Sequence, residues 1–204
     1  MDESRFKKIV ILGDSIVWGA ADLQKGGWPN RLISYFRKNK SAVKIYSKGI
    51  IGNDTGKLIN DFDEEVKNQN PDVIIFAIGI NDAQITNGQS RISLKQFEQD
   101  LILLISMAKK FAPKVIFIGL SRVSDRSSKS VWWSRDKSYD NNVIEKYDSE
   151  LKMIAGKHSC DYIPVSDIFE NDELLWDGIH PNSKGHQKMS ERIGLFLSNK
   201  KLWQ

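Results

Sequence analysis

The chain has 204 residues, 40% hydrophobic and 27% charged, a balance that excludes disorder and suits one folded domain over 1–204 with a sizeable core. The formal net charge is +4, but the 30 Lys and Arg residues are interspersed with 26 acids along the whole length. A nucleic-acid surface needs its cations gathered on one face, so that class is set aside.

In chain order, "KIVIL" reads as the first strand, closed at Gly13. "WPNRLISYFRKN" follows as a helix, with Pro29 near its start and Leu32, Ile33 and Phe36 on one side. "VKIYSKGI" is the second strand and leads to Gly49 and Gly52. "TGKLINDFDEEVKNQ" is a helix facing inward with Leu58, Ile59, Phe62 and Val66. "DVIIFAIG" is the third strand, ending at Gly79. In "SLKQFEQDLILLISMAKKF", Ser93 and Gln96 have capping-box spacing, Lys109 and Lys110 suit the last turn, and Pro113 stops the helix. "KVIFIG" is the fourth strand, to Gly119. A segment too long for an ordinary connection follows, residues 121–140. "YDNNVIEKYDSELKMIAGKH" is a helix, "CDYIPV" a weaker fifth strand, and "NSKGHQKMSERIGLFLSNK" the last helix. Strands this short, β-branched and glycine-closed are expected to be buried on both faces.

Such alternation implies parallel strands joined by right-handed crossovers, with helices on both sides. The expected fold is a three-layer α/β/α sandwich on a five-stranded parallel sheet, in flavodoxin-like order 2-1-3-4-5. Ligands bind beyond the carboxyl ends of such strands. Those ends carry "GDS" at 13–15, "GIIGND" at 49–54, "GIND" at 79–82 and "DGIHP" at 177–181.

These are the parts of an acyl-transfer site. A serine hydroxyl is a weak nucleophile and needs an adjacent base. His180 is the candidate base for Ser15, because a neutral imidazole is available near pH 7. Asp177, three residues earlier, can hold its tautomer and stabilise the imidazolium. Candidate oxyanion donors are the Ser15 N–H, the Gly52 N–H and the Asn81 side-chain amide, with glycine at 52 allowing close backbone approach.

In these residues the chain resembles the GDSL esterases, or SGNH hydrolases, named for Ser, Gly, Asn and His in four blocks. Ser15, Gly52, Gly79 with Asn81, and Asp177 with His180 supply the blocks in family order, from near the start of the chain to near its end. The resemblance implies an esterase or lipase with a Ser-His-Asp triad, an acyl-enzyme and no cofactor. Ile16 and Val17 stand where the family often has Leu and Thr, and Ile51, Asn53 and Asp54 surround Gly52. Substrate preference therefore does not transfer between branches. Acetyl sugars, short esters, thioesters and lysophospholipids are all substrates within the family. No long apolar loop announces an acyl tunnel, so short acyl or acetyl esters are expected. The alternatives are a lysophospholipase or thioesterase, a non-catalytic carbohydrate- or ester-binding module, and a phosphate binder, for which Walker and dinucleotide spacings are absent.

The expected substrate pocket draws on Trp18, Ile51, Asn53 and Ile179, and on Trp132 and Trp133 of the long segment, which lie between Arg126 and Arg135. Asp14 is expected to bond loop amides, Asp82 to act as a turn or cap residue, and His158 and His186 to lie on the surface. Three histidines without a Cys or Glu cluster argue against a metal. Cys160 is the only cysteine and is expected to behave as a small buried hydrophobe. The apolar run of the N-terminus is too short for a signal core, and no run approaches the ~20 residues of a membrane span. The expected compartment is the cytoplasm and the expected partner a small-molecule ester.

Overall fold

The apolar runs and amphipathic stretches become strands and helices in the order in which the sequence alternates them. The computed structural model describes residues 7–20, 22, 25–39, 41–124, 127 and 130–200. The chain runs through β1 (Lys7–Gly13), α1 (Ser15–Trp18), α2 (Gly27–Lys38), β2 (Val43–Gly49), α3 (Thr55–Val66) and β3 (Val73–Ala77). A hairpin of β4 (Ile85–Thr86) and β5 (Gln89–Ser90) leads to α4 (Leu94–Phe111), β6 (Lys114–Ile118), β7 (Lys137–Ser138) and α5 (Asn141–Lys157). β8 (Asp161–Ile163), a 3-10 turn (Asn171–Glu173) and α6 (Ser183–Asn199) complete the order.

The main sheet is parallel, in the order β2-β1-β3-β6-β8. Counted as first to fifth main strands, this is the expected 2-1-3-4-5. α2 packs with α1 and α6, and α4 packs with α3 and α5, giving the two helical layers of the sandwich. Between them lies a core of Ile9 to Leu12, Ile74 to Phe76 and Ile116 to Ile118. Phe76 of β3 stacks on Phe117 of β6 at 5.1 Å, and Phe62 of α3 lies over Phe76 at 6.2 Å. Removing such a ring leaves a cavity, so Phe76→Ala costs about 3–5 kcal/mol.

Burial on both faces holds for the central strands and not for the edges. No residue of β2 is fully buried, and in β8 only Ile163 is. Each edge strand has one neighbour, and Lys44 and Lys48 punctuate β2 in the way that guards an edge. The capping box of α4 is half formed. Ser93 accepts from the Gln96 amide at 3.2 Å, but the Gln96 side chain turns to Asp100 at 2.8 Å.

A second, antiparallel sheet, β5-β4-β7, was not expected. Its strands are two residues each, too short to show a period in the sequence. It draws the segment after β6 onto the hairpin after β3, beside the carboxyl rim of the main sheet. Among the described residues no helix is long and apolar enough to cross a membrane.

Candidate active site

At Gly13 the chain leaves β1 and enters α1, a single helical turn. Asp14 is the N-cap, and its Oδ1 accepts from the Ile16 amide at 2.9 Å. The cap is therefore Asp14, in the Asx-type role expected of it, and Ser15 is left as the first helical residue. Burial raises the Asp14 carboxyl to about 6. Gly49, at the end of β2, lies against this turn. A Cβ there would sit 2.1 Å from the Trp18 amide nitrogen, so only glycine lets the two loops meet.

Across the rim, the turn before α6 carries Asp177 and His180. Oδ1 of Asp177 accepts from the amides of Ile179 and His180 at 2.9 and 3.0 Å. Oδ2 meets His180 Nδ1 at 2.7 Å. One carboxylate thus shapes the turn and holds the ring. Burial opposes its charge, but the bonds from the His180 ring and the two amides outweigh burial and hold the carboxyl below its usual value. A carboxylate accepts only from a protonated Nδ1, which leaves Nε2 as an acceptor. Nε2 lies 2.8 Å from Ser15 Oγ. This is the tautomer and contact that a general base for Ser15 requires.

The oxyanion candidates gather beside Ser15. Among the described residues no protein acceptor takes the Ser15 or Gly52 amide. The Asn81 side chain gives one N–H to the Asn53 carbonyl at 2.8 Å, leaving its second for the cleft. Gly52 has φ +74°, the left-handed region, and a Cβ there would meet no protein atom. Glycine at 52 is set by its backbone conformation, and the open space beside it is the cleft itself.

That cleft has a volume of about 410 Å³. Ser15, His180, Asp177, Gly52 and Asn81 all line it, with Ile51, Trp132, Trp133 and Ile179. A larger groove of about 820 Å³ lies between α2 and α6, but among the described residues no histidine lines it to serve as a base for its serines. Two expected pocket residues are not in the cleft. Trp18 ends α1 with its backbone against Gly49, is half exposed and does not line the cleft. Asn53 is buried beneath the rim, where its carbonyl is spent on Asn81. Arg126 lies outside the described residues.

Trp176 joins the wall unexpectedly. Trp132 contacts Trp176 at 5.2 Å and Trp133 at 5.7 Å between ring centroids. Trp132 is 68% and Trp176 63% exposed, an unusual solvation of large apolar rings. The signal for Trp176 was its place directly before Asp177. Gln84, Arg91, Lys137 and Tyr139 also line the cleft, and no motif marked them.

Asp82 has the cap-like role expected. It accepts from the Thr55 amide at 3.1 Å, and its Oδ1 lies 2.5 Å from the Thr55 hydroxyl oxygen. That hydroxyl also lies 2.9 Å from Asp100. One hydroxyl hydrogen cannot serve two carboxylates, and burial raises Asp82 to about 7. A protonated Asp82 donating to Thr55, which donates to Asp100, satisfies all three groups.

His186 is not on the surface. It is fully buried, its Nδ1 accepts from the Trp28 amide at the start of α2 at 3.2 Å, and burial lowers its imidazole to about 4. The helical pattern hid this because α6 packs on α2, which places His186 inside. His158 is the half-buried C-cap of α5, and Cys160 is half-buried against the core. Among the described residues no His, Cys, Asp and Glu side chains gather into a metal-binding group.

A three-layer sheet with Ser15, His180 and Asp177 in contact at its carboxyl rim defines a class, the SGNH-type α/β hydrolase fold. The GDSL-like Lipase/Acylhydrolase family matches residues 11–188, and the chain belongs to that family. A multidomain esterase from Ruminococcus flavefaciens is 25% identical over 224 residues, which cover 90% of this chain and 27% of that protein. The chain thus spans well under two thirds of that relative's length. Among solved structures, Axe2, an acetylxylan esterase from Geobacillus stearothermophilus, superposes with a TM-score of 0.74 at 19% identity, covering 96% of this chain and 94% of that one. LAE5, an α/β hydrolase enzyme from the metagenome of Lake Arreo, Spain, does so with 0.74 at 20% identity, covering 97% and 96%.

Proposed function

We propose that the chain is a single catalytic domain, a serine esterase that removes short acyl groups, acetyl foremost, from saccharide esters. The observation that carries this is the continuous Asp177–His180–Ser15 contact, 2.7 and 2.8 Å, at a cleft with unspent N–H donors. His180 Nε2 takes the Ser15 proton as Oγ attacks the ester carbonyl carbon. The resulting oxyanion accepts from the Ser15 and Gly52 amides and from Asn81. Collapse expels the alcohol, which takes the proton from the imidazolium and leaves an acyl-Ser15. Water activated by His180 then repeats the sequence and releases the acid.

Several observations favour a saccharide as the alcohol. The exposed indoles of Trp132 and Trp176 offer flat apolar faces beside Ser15, matched to the C–H faces of sugar rings. Two of the relatives are an esterase of many domains and an acetylxylan esterase. Axe2 variants described as catalytic replace a serine, a histidine and an aspartate, the residue types in contact here.

The test is active-site labelling. A fluorophosphonate should modify the folded chain once, and peptide mass spectrometry should find the adduct on Ser15. A folded chain that takes no label is a binding module and not an esterase.

A further inference from the structure

We propose that the small sheet β5-β4-β7 is a frame that positions the oxyanion hole, acting through Tyr139 on Asn81 and through Arg91 on Gly52. This rests on the esterase function proposed above. It gives the long segment 121–140 a role beyond its tryptophans.

Asn81 can serve an oxyanion only if its NH2, and not its carbonyl, faces the cleft. The two ends of a carboxamide have nearly the same shape, so surrounding hydrogen bonds must choose. The Tyr139 hydroxyl lies 3.4 Å from Asn81 Oδ1. Gln84 Nε2 donates to that same hydroxyl oxygen at 2.8 Å. The phenol already accepts from Gln84, so its one hydrogen is free for Asn81 Oδ1. If Asn81 were flipped, its NH2 would face an oxygen that already accepts, and its carbonyl would face the Asn53 carbonyl. Both ends would be worse off. The chain of donors therefore runs one way, from Gln84 through Tyr139 to Asn81, and aims the second Asn81 N–H at the cleft. Tyr139 is 2% exposed, and burial keeps its phenol protonated well beyond the usual range, so it remains a donor. Oε1 of Gln84 is buried without a partner, an energetic cost that fits a side chain held for its other end.

The second arm is Arg91, directly after β5. Its guanidinium donates to the Gly52 carbonyl at 3.2 Å and pairs with the Asp54 carboxylate. Asp54 Oδ1 in turn caps α3 at the Lys57 amide, 2.9 Å away. With the Gly52 carbonyl held from one side and Asn53 N–H bonded to the Ile50 carbonyl, the loop keeps the left-handed turn that leaves the Gly52 amide unspent.

Both arms hang from one scaffold. β4 pairs with β5 before Arg91 and with β7 before Tyr139, with Ile85 opposite both Ser90 and Ser138. The Arg91 amide also bonds the Gln84 carbonyl at 2.7 Å, and the Tyr139 amide the Ser127 carbonyl at 3.0 Å. Tyr139, Gln84 and Arg91 are thus positioning residues.

The experiment compares full-length wild type, Tyr139→Phe, Arg91→Met, Arg91→Lys and Ser15→Ala on p-nitrophenyl acetate. Inhibition by a phenylboronic acid, whose adduct on Ser15 is tetrahedral, is measured in parallel. Tyr139→Phe and Arg91→Met should each lower kcat about tenfold, less than the roughly hundredfold loss of a donor itself, with KM little changed. Boronate inhibition should weaken by the same factor, and Arg91→Lys should recover part of the loss. The inference is overturned if both variants keep wild-type kcat and boronate affinity, or lose only thermal stability, while Ser15→Ala is inactive. If Ser15→Ala hydrolyses the ester like wild type, the esterase function fails first and takes this inference with it.

Discussion

Ser15 Oγ and His180 Nε2 lie 2.8 Å apart across 165 positions of chain. The contact exists because β1 and the turn before α6 both end at the same rim of the sheet. Removing either partner should abolish ester hydrolysis, by about 10⁴-fold or more in kcat, since the two act as a unit. Asp177→Asn should also be damaging, because the amide cannot stabilise the imidazolium as a carboxylate does. Turnover of p-nitrophenyl acetate, with circular dichroism to confirm folding, checks all three. An active, folded Ser15→Ala would remove the nucleophile from the proposal.

Asn81 gives one N–H to Asn53 and keeps one for the cleft. Asn81→Ala should lower kcat by roughly a hundredfold, or ~3 kcal/mol, because the contact strengthens as the carbonyl oxygen gains charge. KM should hardly move. A change confined to KM would make Asn81 a ground-state binder instead.

The residues that could be read from the sequence are those whose chemistry is local. Gly13-Asp14-Ser15 and Asp177 to His180 are contiguous turns whose spacing already encodes their hydrogen bonds. The parallel order followed from strand-helix alternation, which the apolar core imposes along the whole chain. Tyr139, Gln84 and Arg91 were not legible because they act through partners far away. Gln84 and Tyr139 meet across 55 positions, and Arg91 and Gly52 across 39, through strands too short to leave a pattern. The burial of His186 is hidden in the sequence for a related reason. Its burial depends on which face of α6 meets α2, and a polar residue there does not announce that its Nδ1 takes the Trp28 amide.

Asp82 gives the fold a pH dependence. Burial raises its carboxyl to about 7, above the ~4 of an unfolded aspartate. The folded chain then holds this proton more tightly than the unfolded chain, so the contribution is full below about pH 4 and is lost as pH rises through about 7. Asp14, raised to about 6, acts with the same sign. His186, lowered to about 4, acts oppositely, its contribution being lost as pH falls. Comparison with Asp82→Asn isolates the carboxyl, because the amide can still accept from the Thr55 N–H and donate to its hydroxyl. The variant should gain thermal stability over wild type at about pH 8 and lose that advantage near pH 4. A stability difference independent of pH would mean that Asp82 does not titrate in this range.

Trp132 and Trp176 are 68% and 63% exposed, so their packing contributes little to the fold. Trp132→Ala and Trp176→Ala should therefore leave the unfolding midpoint almost unchanged. If their faces hold the sugar, each change should raise KM for an acetylated xylo-oligosaccharide by roughly two- to tenfold, the scale of a ring contact worth about 0.5–1.5 kcal/mol. KM for p-nitrophenyl acetate, which has one small ring and no saccharide, should change less. The two rings also touch each other at 5.2 Å, so the double variant should cost less than the product of the single effects. A panel of p-nitrophenyl esters from about two to sixteen carbons separates this role from an acyl wall, because one or two methylenes shift kcat/KM by about tenfold in a pocket that contacts the acyl chain. If the variants change that chain-length profile and leave the saccharide untouched, the indoles face the acyl side, and a longer-chain or lysophospholipid ester becomes the substrate to test.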